Sequence, residues 1–224
     1  MTSLSKNIIA ALMSTLLLFV TACGSTGSAA EPADGAGAAE APAVEAVSET
    51  KAEADTSPLA GFPPADLSAY GFVADYDQPL QFVDMTVADV VQLVDAQETF
   101  AFVASFAECP WCNAAVPRLN RAAIEAGEIV GLIDTRKDPS WENNMDIADY
   151  DLFVEYFGNY LEEDEDGKPH LYTPHTFFIK DGAVVYQHQG ALPEMDDDPA
   201  MTLNDTQEQA FVELFAEGFR AIDA

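Results

Sequence analysis

The sequence predicts an α/β layer fold after residue 80, with a central mixed sheet flanked by helices. Three observations lead to this prediction: a nearly unbroken apolar run at 99–106, a helical apolar stripe shortly after it, and an Asp181-Gly182 turn between two strand-like segments. Strands that alternate with helices build layered sheets, and a fully apolar strand is typical of a sheet covered on both faces. We expect the order strand, helix, strand, helix, strand, helix, hairpin, helix.

The first predicted elements lie between residues 80 and 106. Leu80–Met85 is strand-like. Thr86, followed by Asp89, resembles a capping box, which starts a helix. The apolar residues of this helix repeat on one face, and they are Val87, Val90, Val91 and Val94. Thr99–Phe106 then predicts a central strand.

A second helix is predicted to open at the C-x-x-C pair, directly after the central strand. Its apolar stripe is formed by Cys112, Val116, Leu119 and Ala123. Gly127 is a typical stop for such a helix. Ile129–Asp134 is the next predicted strand.

The remaining elements are a helix, a hairpin and a last helix. The apolar face of the first of these helices contains Tyr150, Phe153, Val154, Phe157 and Leu161. Thr176–Lys180 and Ala183–His188 flank Asp181-Gly182, which is a strong hairpin signal. Asn204 or Asp205 is expected to cap the last helix. Its inward residues are predicted to be Phe211, Leu214, Phe215 and Ile222.

The N-terminal part of the chain predicts a sorting signal and a linker. The apolar run at 8–20 is too short for a comfortable membrane span, and 1–23 is interpreted as a signal peptide. Its end, Val20-Thr21-Ala22-Cys23-Gly24, resembles the lipobox of bacterial lipoproteins, which implies lipidation of Cys23; an ordinary signal peptide is the alternative. Residues 24–58 are expected to form a disordered acidic tether rich in Ala, Gly and Pro, and 59–79 a transitional segment.

The lipobox resemblance predicts where the protein is located, and the composition limits the partners that it can have. Two acyl chains on Cys23 would hold the chain at the extracytoplasmic face of the cell membrane, with contact to the membrane through the lipid anchor only. The formal net charge of −30 argues against nucleic acid as a partner, because phosphates would be repelled. The chain has three cysteines, too few for a structural disulfide framework.

The spacing of Cys109 and Cys112 suits thiol–disulfide chemistry. A cysteine at a helix N-terminus gains unpaired backbone N–H groups and the positive end of the helix dipole, and both favour its thiolate. Cys109 is therefore the predicted attacking thiol. Cys112, one turn further, is the predicted resolving thiol that attacks the mixed disulfide. Trp111 between them offers an apolar surface to a docking polypeptide or, alternatively, packs on the domain's own edge.

The chain resembles the thioredoxin-like family from about Leu80 to Ile222. The resemblance rests on the element order, on the ECPWC segment at 108–112 with Pro117 beyond it, and on the 172–182 segment with the glycine turn at 190–192. It implies a thioredoxin-like fold, a cis bond before Pro174, and substrate binding by Thr173 and Pro174 with Trp111. Two positions depart from the usual pattern: Val103 replaces a buried aspartate, and Glu108 precedes the nucleophile.

The predicted function is an extracytoplasmic thiol–disulfide oxidoreductase that acts on protein thiols or disulfides, with a membrane redox partner possible and no cofactor or metal site. The alternatives are a thioredoxin-like metal chaperone that uses His175 with the cysteine pair, and a non-catalytic accessory module similar to bacteriocin-transport accessory proteins. A structural zinc site would need a second pair of ligands besides the two cysteines, and the three histidines are not spaced as zinc ligands are. The acidic run at 162–167 is expected to be a solvated loop rather than a calcium site.

Overall fold

The computed structural model describes residues 57–136, 145, 147–195 and 197–224. The predicted signal peptide, Cys23 and nearly all of the predicted tether lie outside the described residues. Within those ranges, no helix is long and apolar enough to cross a bilayer.

The strands confirm the predicted central mixed sheet. In chain order they are Phe82–Asp84 (β1), Phe100–Ser105 (β2), Val130–Asp134 (β3), Glu162–Glu163 (β4), Pro169–His170 (β5), His175–Lys180 (β6) and Ala183–Gln189 (β7). Five of them form one sheet in the order β1-β3-β2-β6-β7. Strands β1, β3 and β2 run parallel, whereas β6 is antiparallel to both β2 and β7. β2 is buried along its whole length, as its apolar sequence predicts.

In the described part of the chain four α-helices accompany the sheet, in the order that the sequence predicts. They span Val87–Asp95 (α1), Pro110–Ala126 (α2), Ile147–Phe157 (α3) and Asp205–Asp223 (α4). Capping boxes at Thr86 and Asn204 start α1 and α4, because each side chain accepts backbone N–H groups that would otherwise lack partners. Gly127 ends α2 in the left-handed conformation, with φ of 75°.

Two buried clusters cover the faces of the sheet. Helix α2 and the last helix α4 belong to one cluster, which includes Val116, Leu119, Phe211 and Phe215. Residues of α1 and α3 belong to the other, which is built around the aromatic side chains of Phe102, Phe153, Phe157 and Phe177. The sheet is therefore flanked by helices on both sides, as predicted.

Some expected details are wrong. The helical face assigned to α3 stops at Phe157, and a 3-10 turn over Gly158–Tyr160 follows, so Leu161 lies beyond the helix. The acidic run is not a plain loop, because β4 pairs antiparallel with β5 around a turn at Gly167, where φ is 75°. Val94 and Leu214 lie on the inward faces of α1 and α4 as predicted, half-buried and packed against the two buried clusters.

The transitional segment before β1 is structured from residue 57 onward. Leu59, Leu67 and Tyr70 are buried, and a 3-10 helix spans Gly71–Asp75. This segment is held to α2 by two asparagine side chains. Asn120 donates from Nδ2 to the Tyr76 hydroxyl and the Pro79 carbonyl, and accepts the backbone N–H of Gln81 at Oδ1 (2.8 Å). Asn113 accepts the backbone N–H of Phe72 (3.4 Å).

Candidate active site

The start of α2 places the two cysteines as the C-x-x-C spacing predicts. Cys109 is the N-cap of α2, directly before Pro110 in the first turn. Its Sγ accepts the backbone N–H of Cys112 at 3.2 Å. The two thiols are not bonded to each other. Cys112 has no exposed surface and Cys109 has 4%. The pair therefore has one member at the edge of the surface and one behind it.

The loop before β6 brings Thr173 and Pro174 to Cys109. The Thr173–Pro174 peptide bond is cis, as the resemblance implied. The Cys109 thiol points to the Thr173 carbonyl, with 3.5 Å between Sγ and O, and the Thr173 hydroxyl lies 4.0 Å from Sγ. Pro174 is buried behind Thr173. Residues separated by more than sixty positions in sequence thus meet at the thiol.

A groove of about 610 Å³ opens beside Cys109. Its walls include Cys109, Trp111 and Thr173, three of the predicted site residues. Trp111 is 37% exposed, so a substantial part of its ring is available for contact with a docking chain.

Other residues that line the groove were not among the predicted substrate-binding residues. Tyr172 and Glu162 line it from the segment before β6, and Glu108 is exposed at its edge. Arg136 lies with its guanidinium 4.0 Å from the centre of the Phe106 ring, and both residues line the groove. The groove therefore offers aromatic surface together with charges of both signs.

The two thiols have pKa values shifted in opposite directions. The hydrogen bond with the Cys112 side chain is the largest effect that lowers the pKa of Cys109, and backbone N–H groups at the start of α2 and Thr173 add to it. Burial works in the opposite direction, and the resulting pKa of Cys109 is about 7. For Cys112, burial raises the pKa well above its usual range, and the hydrogen bond and charge of Cys109 raise it further. At neutral pH Cys109 is the better nucleophile.

Asn113 orders the loop that presents Cys109. Its Nδ2 donates to the carbonyls of Ala107 (2.7 Å) and Cys109 (3.0 Å). These two bonds fix the backbone on both sides of Glu108, and Cys109 is therefore held by a side chain of its own helix. Sequence reasoning did not identify this role.

The structure places two further polar groups behind the pair that sequence reasoning missed. Ser105, at the end of β2, is fully buried, and its hydroxyl acts to lower the pKa of Cys112. Its Oγ also lies 2.8 Å from the hydroxyl of Tyr70, which is 5% exposed. The signal for Ser105 was present, since it is the one hydroxyl residue inside the apolar strand β2. No pattern in the transitional segment marks Tyr70.

His175 is not brought into a metal site. Its ring is fully buried, stacks on Phe177 and hydrogen-bonds through Nε2 to Gln187. Burial lowers the pKa of His175 to about 4, and the nearby His188 also lowers it. Among the residues that the structure describes, no group of three or more His, Cys, Asp or Glu side chains is arranged to hold a metal ion.

Comparison with known proteins gives similarity to solved structures alone. No protein-family model matches the chain, and no curated protein matches it. One similar structure is described as a candidate oxidoreductase with a thioredoxin fold (12% identity, TM-score 0.36, covering 49% of this chain and 83% of that chain). Another is a thioredoxin from Plasmodium falciparum (12% identity, TM-score 0.32, covering 60% and 97%). The thioredoxin-like fold of this chain is visible in its own strand order and helix placement.

Proposed function

We propose that the chain is a thiol–disulfide oxidoreductase that exchanges disulfides with protein substrates through Cys109 and Cys112. The observation that carries the proposal is the asymmetry of the pair. A thiol whose pKa is lowered to about 7 stands at a helix N-terminus beside an open groove, and a second, deeply buried thiol lies one turn behind it. This arrangement suits attack by the first thiol and resolution by the second.

The exchange proceeds in two balanced steps. The Cys109 thiolate attacks one sulfur of a substrate disulfide, forms a mixed disulfide with it, and releases the other substrate sulfur as a thiolate. Cys112 then loses its proton and attacks Cys109, so that the Cys109–Cys112 bond forms while the bond to the substrate breaks. The departing substrate sulfur takes the electron pair and a proton. The reverse sequence oxidises a substrate dithiol with the same two electrons.

The surroundings of Cys109 favour a polypeptide substrate. The Thr173 carbonyl faces the nucleophile, and an extended chain that passes through the groove would meet this backbone as a neighbouring strand would. Trp111 and Tyr172 supply exposed aromatic surface on the same groove. Aromatic side chains contribute strongly to protein–protein contacts. Within the described residues the metal-chaperone alternative has no third ligand for the cysteine pair, because the His175 ring lies in the core.

The location proposed for this activity is the extracytoplasmic face of a bacterial cell membrane, with Cys23 as the lipidated residue. The basis is the 20–24 segment of the sequence. Metabolic labelling with palmitate should mark the wild-type chain in the membrane fraction, and Cys23→Ala should lose both the label and the anchoring. Labelling that is unchanged in the variant would refute the anchor without affecting the redox proposal.

The redox proposal is tested by equilibrating the purified full-length chain, with Cys23→Ala to leave a single pair, against glutathione buffers of graded ratio. Alkylation followed by mass measurement should show one two-electron transition between dithiol and disulfide forms. The matched variant Cys112→Ala should show mixed disulfide with glutathione instead. A pair that stays reduced across the whole series, or that purifies with a stoichiometric copper or zinc ion, would contradict the proposal.

A further inference from the structure

The side chain of Asn113 binds backbone groups from two separate parts of the chain. Its Nδ2 donates to the carbonyls of Ala107 (2.7 Å) and Cys109 (3.0 Å), and its Oδ1 accepts the backbone N–H of Phe72 at 3.4 Å. A side-chain amide has two donor protons on its nitrogen and a separate acceptor oxygen. Both ends of the Asn113 amide are therefore used, and its orientation follows from its partners.

The two carbonyls belong to the turn that connects β2 to α2. In this turn the backbone N–H of Cys109 donates to the Phe106 carbonyl at 3.3 Å. Glu108, between the two carbonyls, is exposed, so its side chain adds little packing that would hold the turn. The two bonds from Asn113 instead hold the turn from the side of the helix.

The reactivity of Cys109 depends on the conformation of this turn. Cys109 has the extended backbone of an N-cap, with φ of −75° and ψ of 118°. This conformation allows an N-cap side chain to accept a backbone N–H of the first turn, here that of Cys112 at 3.2 Å from Sγ. It also leaves Sγ 3.5 Å from the Thr173 carbonyl. Backbone hydrogen bonds from the start of α2 lower the pKa of Cys109, so a change in the turn reaches the thiol.

The third partner of Asn113 belongs to a packed segment. Phe72 lies in the 3-10 helix Gly71–Asp75, and its ring meets the rings of Tyr70 and Tyr76 edge-on, with centroids 5.8 and 5.5 Å away. Tyr70 is buried. The amide of Asn113 is thus held between α2 and a segment that has its own contacts with the domain.

We propose that Asn113 is a positioning residue for thiol–disulfide exchange, because it holds Cys109 as the N-cap of α2 beside the groove. This inference rests on the proposed function and adds a residue to the same site. Asn113 acts through the backbone of Ala107 and Cys109, so it takes no part in the covalent steps. The segment before β1 supports the active site through the same side chain.

Two substitutions separate hydrogen-bond donation from the shape of the side chain. Asn113→Ala removes all three hydrogen bonds. Asn113→Asp keeps the size and the acceptor for the Phe72 N–H but has no proton for the two carbonyls. The matched control is Asn120→Ala, on the same helix. The Asn120 amide also donates twice and accepts once, but its partners lie at 76–81 rather than in the Cys109 turn.

Three measurements are made on the reduced full-length chain carrying Cys23→Ala. The first is the rate of Cys109 alkylation by iodoacetamide across a pH series, with peptide mapping to assign the label. The second is the rate at which Cys109 attacks dipyridyl disulfide, recorded as the release of thiopyridone. The third is urea unfolding, which reports the stability of each variant.

The expected effects follow from the worth of a hydrogen bond between neutral groups, roughly 2- to 12-fold in an equilibrium constant. Asn113→Ala should raise the alkylation midpoint of Cys109 from about pH 7 by about 0.5–1 pH unit. Attack at pH 7 should then slow about 2- to 5-fold. Asn113→Asp should shift the midpoint at least as far, because its negative charge also opposes the thiolate. Asn120→Ala should unfold at lower urea than wild type and keep the wild-type midpoint.

The dissociation between the two asparagines decides the inference. A Cys109 midpoint that is unchanged in both Asn113 variants, or that shifts in the alanine variant alone, would overturn it. An equal shift in Asn120→Ala would also overturn it, because general loosening of the fold would then explain the effect. These results leave the proposed function intact. That function fails instead if the wild-type pair shows no two-electron transition in the glutathione series, which the alkylation comparison does not require.

Discussion

The lowered pKa of Cys109 yields a prediction about its neighbour. With a pKa of about 7, Cys109 is about half ionised at pH 7. A cysteine with the ordinary value of about 8.5 would be about 3% thiolate there, so the fold increases the thiolate fraction about 15-fold. The largest cause is the hydrogen bond with the Cys112 side chain. A hydrogen bond to a charged group is worth about 1.5–3 kcal/mol, or one to two pH units.

Two substitutions at Cys112 isolate this hydrogen bond from the other effects. Cys112→Ala removes the donor and should move the Cys109 pKa upward, toward the ordinary cysteine value. Cys112→Ser keeps a donor of similar size in the same place, so its pKa should stay near that of wild type. Both variants leave Cys109 as the single reactive thiol when Cys23→Ala is also present.

The assay is the rate of alkylation by iodoacetamide across a pH series that spans both values. Each rate profile should rise with a midpoint at the Cys109 pKa, since the thiolate is the reacting form. In the wild-type chain, peptide mapping should find Cys109 labelled well before Cys112. Coincident midpoints for the alanine and serine variants would refute the assigned hydrogen bond. A wild-type midpoint near the ordinary cysteine value would refute the lowered pKa itself.

Two further predictions concern stability, both measured by urea unfolding. Asn120→Ala should lower the free energy of unfolding by about 2–4 kcal/mol, because it leaves the partners of three hydrogen bonds unpaired at a fully buried position. A decrease below about 0.5 kcal/mol would contradict that role. The His175 pKa is about 4 in the folded state and about 6.5 unfolded, so stability falls as pH falls between these values. Between about pH 7 and 4, the free energy of unfolding of His175→Gln should fall by about 3 kcal/mol less than that of the wild-type chain. An equal fall in both proteins would show that His175 does not titrate this way.

Local signals in the sequence were sufficient for most of the sheet and helices. Thr86 and Asp89 form the predicted capping box, and Asp181-Gly182 makes the predicted hairpin turn, with positive φ at both residues. In each case the residues that determine the structure are neighbours in sequence. The C-x-x-C pair is located correctly for the same reason, since its position depends on the strand and helix that adjoin it.

The features missed by sequence reasoning depend on contacts between distant segments. Tyr70 meets Ser105 across 35 positions, and nothing around Tyr70 distinguishes it from other aromatic residues. The β4–β5 pairing joins a run of acidic residues to Pro169 and His170, so neither strand shows an apolar alternation. The end of α3 at Phe157 was misjudged because Leu161 continued the apolar spacing beyond the true helix terminus.

The central claim is that Cys109 forms a covalent intermediate with protein substrates and that Cys112 releases it. It is tested most directly by comparing Cys112→Ala with Cys109→Ala on non-reducing gels of cell-envelope extracts, with reduced samples as the control. Cys112→Ala lacks the resolving nucleophile and should accumulate reducible high-mass adducts, whereas Cys109→Ala should trap few. If Cys112→Ala shows no such adducts beyond those of Cys109→Ala, under oxidising and reducing growth alike, the account of the chain as a protein thiol–disulfide oxidoreductase is contradicted.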